Sequence, residues 1–210
     1  MSRYNGPNAR QSIGDTLALA RYEDGSMLLT DLETPRLVIR DVRPSDVDAF
    51  YAYMKREQYW QDLPIDPPTV ESIKDMVDRC LLDQGKEPRT DFFLAAVAKA
   101  TSDLVGEAIL HVRSLRWRQG EIGWGISSDH VGHGLATEIG SAMLRLAFDR
   151  LCLHRVYARC RVENQASRRI MTKLGMREEG VLRENVLARG AWWSSVQCSI
   201  LCSERAHLPA

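Results

Sequence analysis

Residues 131 to 138 read Val131-Gly132-His133-Gly134-Leu135-Ala136-Thr137-Glu138, the segment richest in potential chemistry. Two glycines and an alanine at alternate positions remove side chains where a strand-like run, 121–127, feeds an amphipathic run, 135–148. Backbone N–H groups at such a junction point at an anion unobstructed, and the helix N-terminus adds partial positive charge. The loop is therefore suited to a pyrophosphate and needs no lysine to hold one. A candidate base lies just upstream. Glu121 shares one strand face with Gly123 and Gly125, while Ile122, Trp124 and Ile126 take the other. A carboxylate on an otherwise bare face suits proton abstraction; its bland alternative is a surface glutamate. Glu107 and Glu184 stand behind it as weaker candidates.

Other constellations are excluded. A dinucleotide loop wants G-x-G-x-x-G, and Thr137 occupies the last position. There is no G-K-[ST], hence no P-loop. His130 and His133 are three apart, but no Asp, Glu or Cys at ligand spacing completes a metal site.

The elements that must position these residues follow from periodicity. Residues 36–42 alternate as a strand. Pro44-Ser45 offers a helix start, with Val47, Phe50, Tyr51 and Met54 at helical spacing. A proline-rich loop, 58–68, ends that helix; Glu57, Asp62 and Asp66 make it acidic, and it carries Tyr59 and Trp60. Thr69 caps a second helix to about residue 83. Strands follow at 92–98, 104–115 and 121–127, then the glycine loop and its helix. A β-branched strand, 154–162, precedes a helix over 165–174, capped by Asn164 and stopped by Gly175. Strands at 176–187 and 192–202 finish the chain. The order is β-α-α-β-β-β-α-β-α-β-β. Residues 1–30 read as an extension with a weak helical piece at 17–20, and 31–210 as one domain.

This order and loop resemble the GNAT N-acetyltransferase superfamily, whose Q/R-x-x-G-x-G/A loop cradles the pyrophosphate of acetyl-coenzyme A. The matching residues are Val131, Gly132, His133, Gly134, Leu135 and Ala136, with Val131 departing from Gln or Arg. Leu153-His154-Arg155-Val156, Asn164 to Arg169, Lys173-Leu174-Gly175-Met176, Glu179-Gly180 and Leu182-Arg183 are similar to the RimJ/RimL branch, which acetylates protein N-termini. The resemblance spans roughly residues 33–201. It implies an α/β (α+β) fold: a mixed, mostly antiparallel sheet with splayed strands, flanked by helices.

It also implies roles. Thr137 would add a phosphate ligand, Asn164 would contact the pantetheine arm, and Ser167 would face the thiol end. Arg168, Arg169 and Lys173 would meet the 3′-phosphate, against the bland reading of a solvated face. A backbone N–H near Ile126 or Ser127 would bear the developing oxyanion. Many relatives protonate the leaving thiol with a late tyrosine; here Gln197-Cys198-Ser199 fills that stretch, leaving Cys198 or Ser199 as substitutes. A coenzyme A thiolate, with a basicity near that of cysteine (pKa ~8.5), also survives near neutral pH and takes a proton from water, so a dedicated acid is dispensable.

Lys+Arg and Asp+Glu are both 28, so a general nucleic-acid binder, with its basic field, is not expected. The five cysteines form no C-x-x-C pair, and reduced thiols in a cytoplasmic protein are the simple reading. No apolar run approaches a membrane helix, and residues 1–11 lack the apolar core of a signal peptide. The expected cosubstrate is acetyl-coenzyme A, with no metal. The expected acceptor is a protein or peptide N-terminus; a small amine (polyamine, amino acid or antibiotic) is the alternative, and a non-catalytic acyl-coenzyme A sensor the alternative outside enzymes. A homodimer stays open, since no residue pattern sets the oligomeric state.

Overall fold

In the computed structural model, residues 31–207 are described. The helical piece expected at 17–20 lies outside them. An eight-stranded sheet runs in the order β1-β2-β3-β4-β5-β6-β8-β7. The strands are β1 (Leu32–Glu33), β2 (Leu37–Asp41), β3 (Asp91–Ala98), β4 (Leu104–Ser114), β5 (Gln119–Ile126), β6 (Arg155–Arg161), β7 (Arg177–Ala188) and β8 (Ala191–Leu201). All neighbours are antiparallel except β5 and β6.

Three helices lie before β3. A 3-10 turn, Pro44–Asp46, leads into α1 (Val47–Met54), and α2 (Glu57–Trp60) and α3 (Val70–Gln84) follow. The expected loop at 58–68 thus contains part of a short helix. Thr69 caps α3 by accepting the Ser72 N–H at 3.1 Å. After β5, α4 (Leu135–Arg145) runs into a π turn, Leu146–Arg150; α5 (Gln165–Lys173) separates β6 from β7.

Paired residues share a face, because side chains alternate along a strand. The pairs Glu107↔Gly125, Ile109↔Gly123 and Glu121↔Tyr157 lie on one face. Arg159↔Gln197 and Arg161↔Ser195 continue it. Helices α1 and α3 cover this face around Val42, Phe50, Met54, Ile73, Val77 and Ala95. The opposite face carries Leu94, Leu110, Ile122, Val156, Ala158 and Cys198, and packs on Ile139 and Met143 of α4 and Met171 of α5. Each face thus buries its own apolar cluster, the main favourable contribution to folding.

The β5–β6 ladder is short. It pairs Gln119 with Arg155, Gly120 with Val156 and Glu121 with Tyr157, then stops, although both strands continue. Beyond Glu121 the two strands diverge and the sheet opens.

Candidate active site at the strand divergence

A cavity of about 340 Å³ occupies this opening. Its lining comes from both faces of the sheet. Glu107, Glu121, Arg159 and Trp193 belong to the face under α1 and α3, whereas Trp124, Ala158 and Cys160 belong to the other, where Asn164 and Ser167 of the α5 start join them. A cavity reaching both faces can bring two reactants together through the sheet.

The ladder hydrogen bonds decide which backbone donors face it. The Ser127 N–H donates to the Val105 carbonyl at 2.9 Å. In an antiparallel ladder, alternate residues bond to the same neighbour. The Ile126 N–H therefore points away from β4, toward the side from which β6 has diverged. Of the two expected oxyanion donors, Ile126 keeps a suitable direction. Ser127 does not, because its N–H is committed to the sheet.

The glycine loop follows directly. Gly132 and Gly134 have φ of +84° and +79°, which a side chain would strain. Gly134 is the N-cap of α4, and the first intrahelical bond of that turn runs from the Glu138 N–H to the Gly134 carbonyl. The N–H groups of Leu135, Ala136 and Thr137 precede it, at the positive end of the helix. Nothing lies within 4 Å of where a Cβ on Gly132 would sit. This cradle, open at Gly132 and with the Arg36 guanidinium 3.7 Å from where a Cβ on Gly134 would sit, fits a pyrophosphate. Val131 and His133 are exposed beside it. Arg36, from the β1–β2 turn, donates to the His133 carbonyl at 2.7 Å and pairs with Glu138 at 2.6 Å. It thus braces the loop from a segment remote in sequence.

On α5, the Asn164 side-chain oxygen accepts the Ser167 N–H at 2.9 Å, so the cap also stands at the cavity wall. Arg168 pairs with Glu178 at 3.0 Å, whereas Arg169 and Lys173 are exposed.

The two acidic candidates differ in company. Glu121 is held from both sides: Arg113 Nε donates to Oε2 at 2.9 Å, and Arg159 Nη2 reaches Oε1 at 2.9 Å and Oε2 at 3.1 Å. Among the described residues, Glu107 meets no guanidinium. Its Oε1 accepts the Tyr59 hydroxyl at 2.7 Å, and its Oε2 accepts the Tyr53 hydroxyl. The face expected to be bare is therefore filled, for a Cβ on Gly125 would lie 1.9 Å from Glu107 Oε1. Gly125 makes room for Glu107 rather than for Glu121. Burial pushes the Glu107 carboxyl up, against hydrogen bonds from Tyr53 and Tyr59 that favour its charged form. Glu184 is exposed, with its backbone N–H on the Ser194 hydroxyl.

The thiol-protonating candidates do not reach the cavity. Cys198 is buried in the core on the helix-α5 side. Ser199 donates to Glu179 Oε1 at 2.6 Å. From β8, Trp193 and Ser195 line the cavity instead. Cys160 also borders it, but burial pushes its thiol up to about 11, making it a weaker acid than an ordinary cysteine thiol at ~8.5. Among the described residues, no His/Cys/Asp/Glu group could hold a metal.

The cavity is roofed. Arg189, at the β7–β8 turn, donates to the carbonyls of Gln61 at 2.7 Å, Leu63 at 3.0 Å and Ile65 at 2.6 Å. Its guanidinium also stacks on Trp60 and Trp193. The α2–α3 loop is thereby tied to the far hairpin across the groove. Sequence reading missed this contact, because its partners are more than a hundred residues apart and most are carbonyls.

Comparison with known proteins gives the family and agrees with the fold. The Acetyltransferase (GNAT) domain family matches residues 36–177, and the chain belongs to that family. Its members use acetyl-coenzyme A, and this chain is an acetyl-coenzyme A-dependent acyltransferase. YnaD of Bacillus subtilis (strain 168), an uncharacterized N-acetyltransferase, is 28% identical over 173 residues, 82% of this chain and 98% of its own. A GNAT-family acetyltransferase structure from Bacillus anthracis superimposes with a TM-score of 0.74 at 26% identity, covering 83% of this chain and 100% of the other. Mycobacterium smegmatis RimJ in complex with CoA-disulfide shares the fold, with a TM-score of 0.71 at 23% identity, covering 80% of this chain and 83% of RimJ. Among the described residues, no helix is long and apolar enough to cross a membrane.

Proposed function

We propose that this enzyme acetylates a primary amine at the end of a protein or peptide chain, by direct attack in a ternary complex. The cavity through the sheet carries this reading, because Asn164 and Ser167 line it from one face and a chamber holding Glu107, Glu121 and Trp193 opens on the other. Gly132, Gly134 and the first turn of α4 would hold the pyrophosphate, with Thr137 beside it. Asn164 and Ser167 would border the pantetheine and thiol end. When bound, acetyl-coenzyme A supplies a thioester whose carbonyl carbon accepts the amine. The Ile126 N–H is directed to receive the carbonyl oxygen as charge develops there. Trp193 and the roofed α2–α3 loop restrict the amine's approach, which contributes to rate by orientation.

An α-amine suits the chamber chemically. With a pKa of ~7.7–8.0 it is roughly a tenth neutral at pH 7, whereas a lysine at ~10.4 is neutral less than one part in a thousand. A small free amine is the second reading, favoured by the Arg189 roof, which narrows the entrance. A sensor without chemistry gives no account of the buried Glu107 carboxylate, which lines the cavity with two tyrosine hydroxyls as its partners. Mass spectrometry of peptides and free amines incubated with enzyme and acetyl-coenzyme A tests this. The expected product is acetylation of free N-termini. Acetylation of internal lysines, with N-termini of the same peptides untouched, would overturn it.

A further inference from the structure

We infer that Glu107 is the proton acceptor for the attacking amine, and that Tyr53 and Tyr59 hold its carboxylate in place over the bare Cα of Gly125. This rests on reading the cavity as the site of acetyl transfer.

Position comes first. Glu107 pairs with Gly125 in the β4–β5 ladder, and the carboxylate lies against that glycine. The next residue, Ile126, directs its N–H into the strand divergence. The acid group and the oxyanion donor are therefore brought together by one strand. Glu107 also lines the cavity, although the residue is only 2% exposed. Its outlet to solvent is thus the chamber itself.

Its company comes second. Tyr53 reaches it from α1 and Tyr59 from α2, their rings edge-to-face at 5.4 Å. Each phenol donates one hydrogen bond, and each carboxylate oxygen retains capacity to accept another. Across β3 the paired residue is Ala95, and across β5 it is Gly125, so neither neighbour brings charge. The remaining charged groups around the chamber are Asp62, Glu121, Arg159 and Arg161. Arg159 is occupied by Glu121, and Arg161 by Glu163 at 2.8 Å and Asp62 at 3.8 Å. A buried carboxylate without a cation is costly, and fold stability alone gives no reason to place one here. An incoming ammonium would supply the missing partner.

The step balances. The ammonium R–NH3+ gives one proton to the Glu107 carboxylate and becomes R–NH2. The nitrogen lone pair forms the C–N bond at the thioester carbon. The C–S bond breaks, and its electron pair leaves with sulfur as thiolate. The second nitrogen proton neutralises the thiolate through water, and Glu107 returns its own to solvent. Burial keeps the carboxyl above the usual range, nearer the basicity needed to accept a proton at neutral pH.

The experiment compares wild type, Glu107→Gln and Tyr59→Phe. Turnover is followed against pH at saturating acetyl-coenzyme A, with a short peptide bearing a free N-terminus and with propylamine. Glu107→Gln is expected to bind acetyl-coenzyme A, judged by thermal shift, while losing ~10²-fold or more in kcat and the acidic limb of the pH profile. Tyr59→Phe removes a bond that favours the charged carboxylate, so its acidic limb should move to higher pH. Wild-type kcat and an unchanged acidic limb in Glu107→Gln would overturn the assignment. If wild type acetylates neither probe, the acceptor reading fails, and an infrared measurement still decides the inference. The protonated-carboxyl band lost in Glu107→Gln should persist in wild type above the pH at which ordinary glutamates ionise (~4.3). A band that vanishes with those glutamates would overturn the inference.

Discussion

Glu107 and Glu121 face one cavity in opposite electrostatic company. Glu121 has both oxygens on guanidiniums, which anchors it and, through it, Arg113 and Arg159. Replacing Glu121 by Gln should raise the acceptor KM several-fold while preserving the acidic limb of kcat. Loss of that limb in steady-state kinetics would transfer the proton role from Glu107 to Glu121. Stability gives an independent sign. The folded value of Glu107 is raised by burial, so its contribution is most favourable below the unfolded pKa of ~4.3 and is lost as pH rises through the folded value. Glu107→Gln never ionises and should therefore melt above wild type at neutral pH, converging with it in acid. A purely structural Glu107 would give a lower melting temperature at neutral pH. Glu179 behaves oppositely. The Arg155 hydrogen bond pulls it to about 2, aided by Ser199 and Gln197 and opposed by burial. Its contribution is present above ~4.3 and lost as pH falls toward 2. Glu179→Gln should cost less than ~1 kcal/mol near neutral pH, because the side chain is 38% exposed and solvent screens it, and nothing in acid. Parallel thermal melts of the two variants across pH check both signs.

At the scale of elements, the site depends on two connections between distant segments. Arg36 ties the β1–β2 turn to the start of α4, and Arg189 ties the β7–β8 turn to the loop after α2. The second bears on substrate entry. Arg189→Ala leaves four carbonyls without this donor and removes the cation between Trp60 and Trp193. The loop should then be cut faster in limited proteolysis around residues 61–66. The acceptor KM should rise several-fold, with acetyl-coenzyme A affinity unchanged. An unaltered acceptor KM would show that the roof does not shape entry. The helices were largely legible in sequence, since capping by Thr69 and Asn164 and the apolar spacing of α1 and α3 are local signals. The short α2 and the π turn after α4 were not legible. Both follow from how the chain is packed, which local propensity does not encode.

For the whole molecule, cofactor binding and folding are linked. Acetyl-coenzyme A at about a hundred times its Kd should stabilise the fold by roughly 2.7 kcal/mol. In a chain of this size, that corresponds to a rise in Tm of ~5–10 °C. Gly134→Val should abolish the shift, because a side chain at φ +79° strains the helix start and its Cβ would lie 3.7 Å from the Arg36 guanidinium that braces the loop. A wild-type Tm that does not move with saturating cofactor would contradict the cradle assignment.

Sequence alone determined what depends on neighbours along the chain. Glycine spacing marks a strand-to-helix turn able to cradle an anion, caps and periodicity mark the helices, and alternation marks the strands. Together they carried the resemblance to the acetyltransferase family. Tertiary structure decided what depends on register and divergence. Glu121 stood out because it shares β5 with two glycines, yet one of those glycines accommodates Glu107 from the neighbouring strand. Cys198 and Ser199 fit a pattern along β8, yet the sheet puts one in the core and the other on Glu179. Ser127 and Ile126 are adjacent in sequence, and only the ladder shows which N–H is committed. The physical reason is common to all three. A side chain's chemistry is set by what faces it across strands and helices, and those partners are distant in the chain.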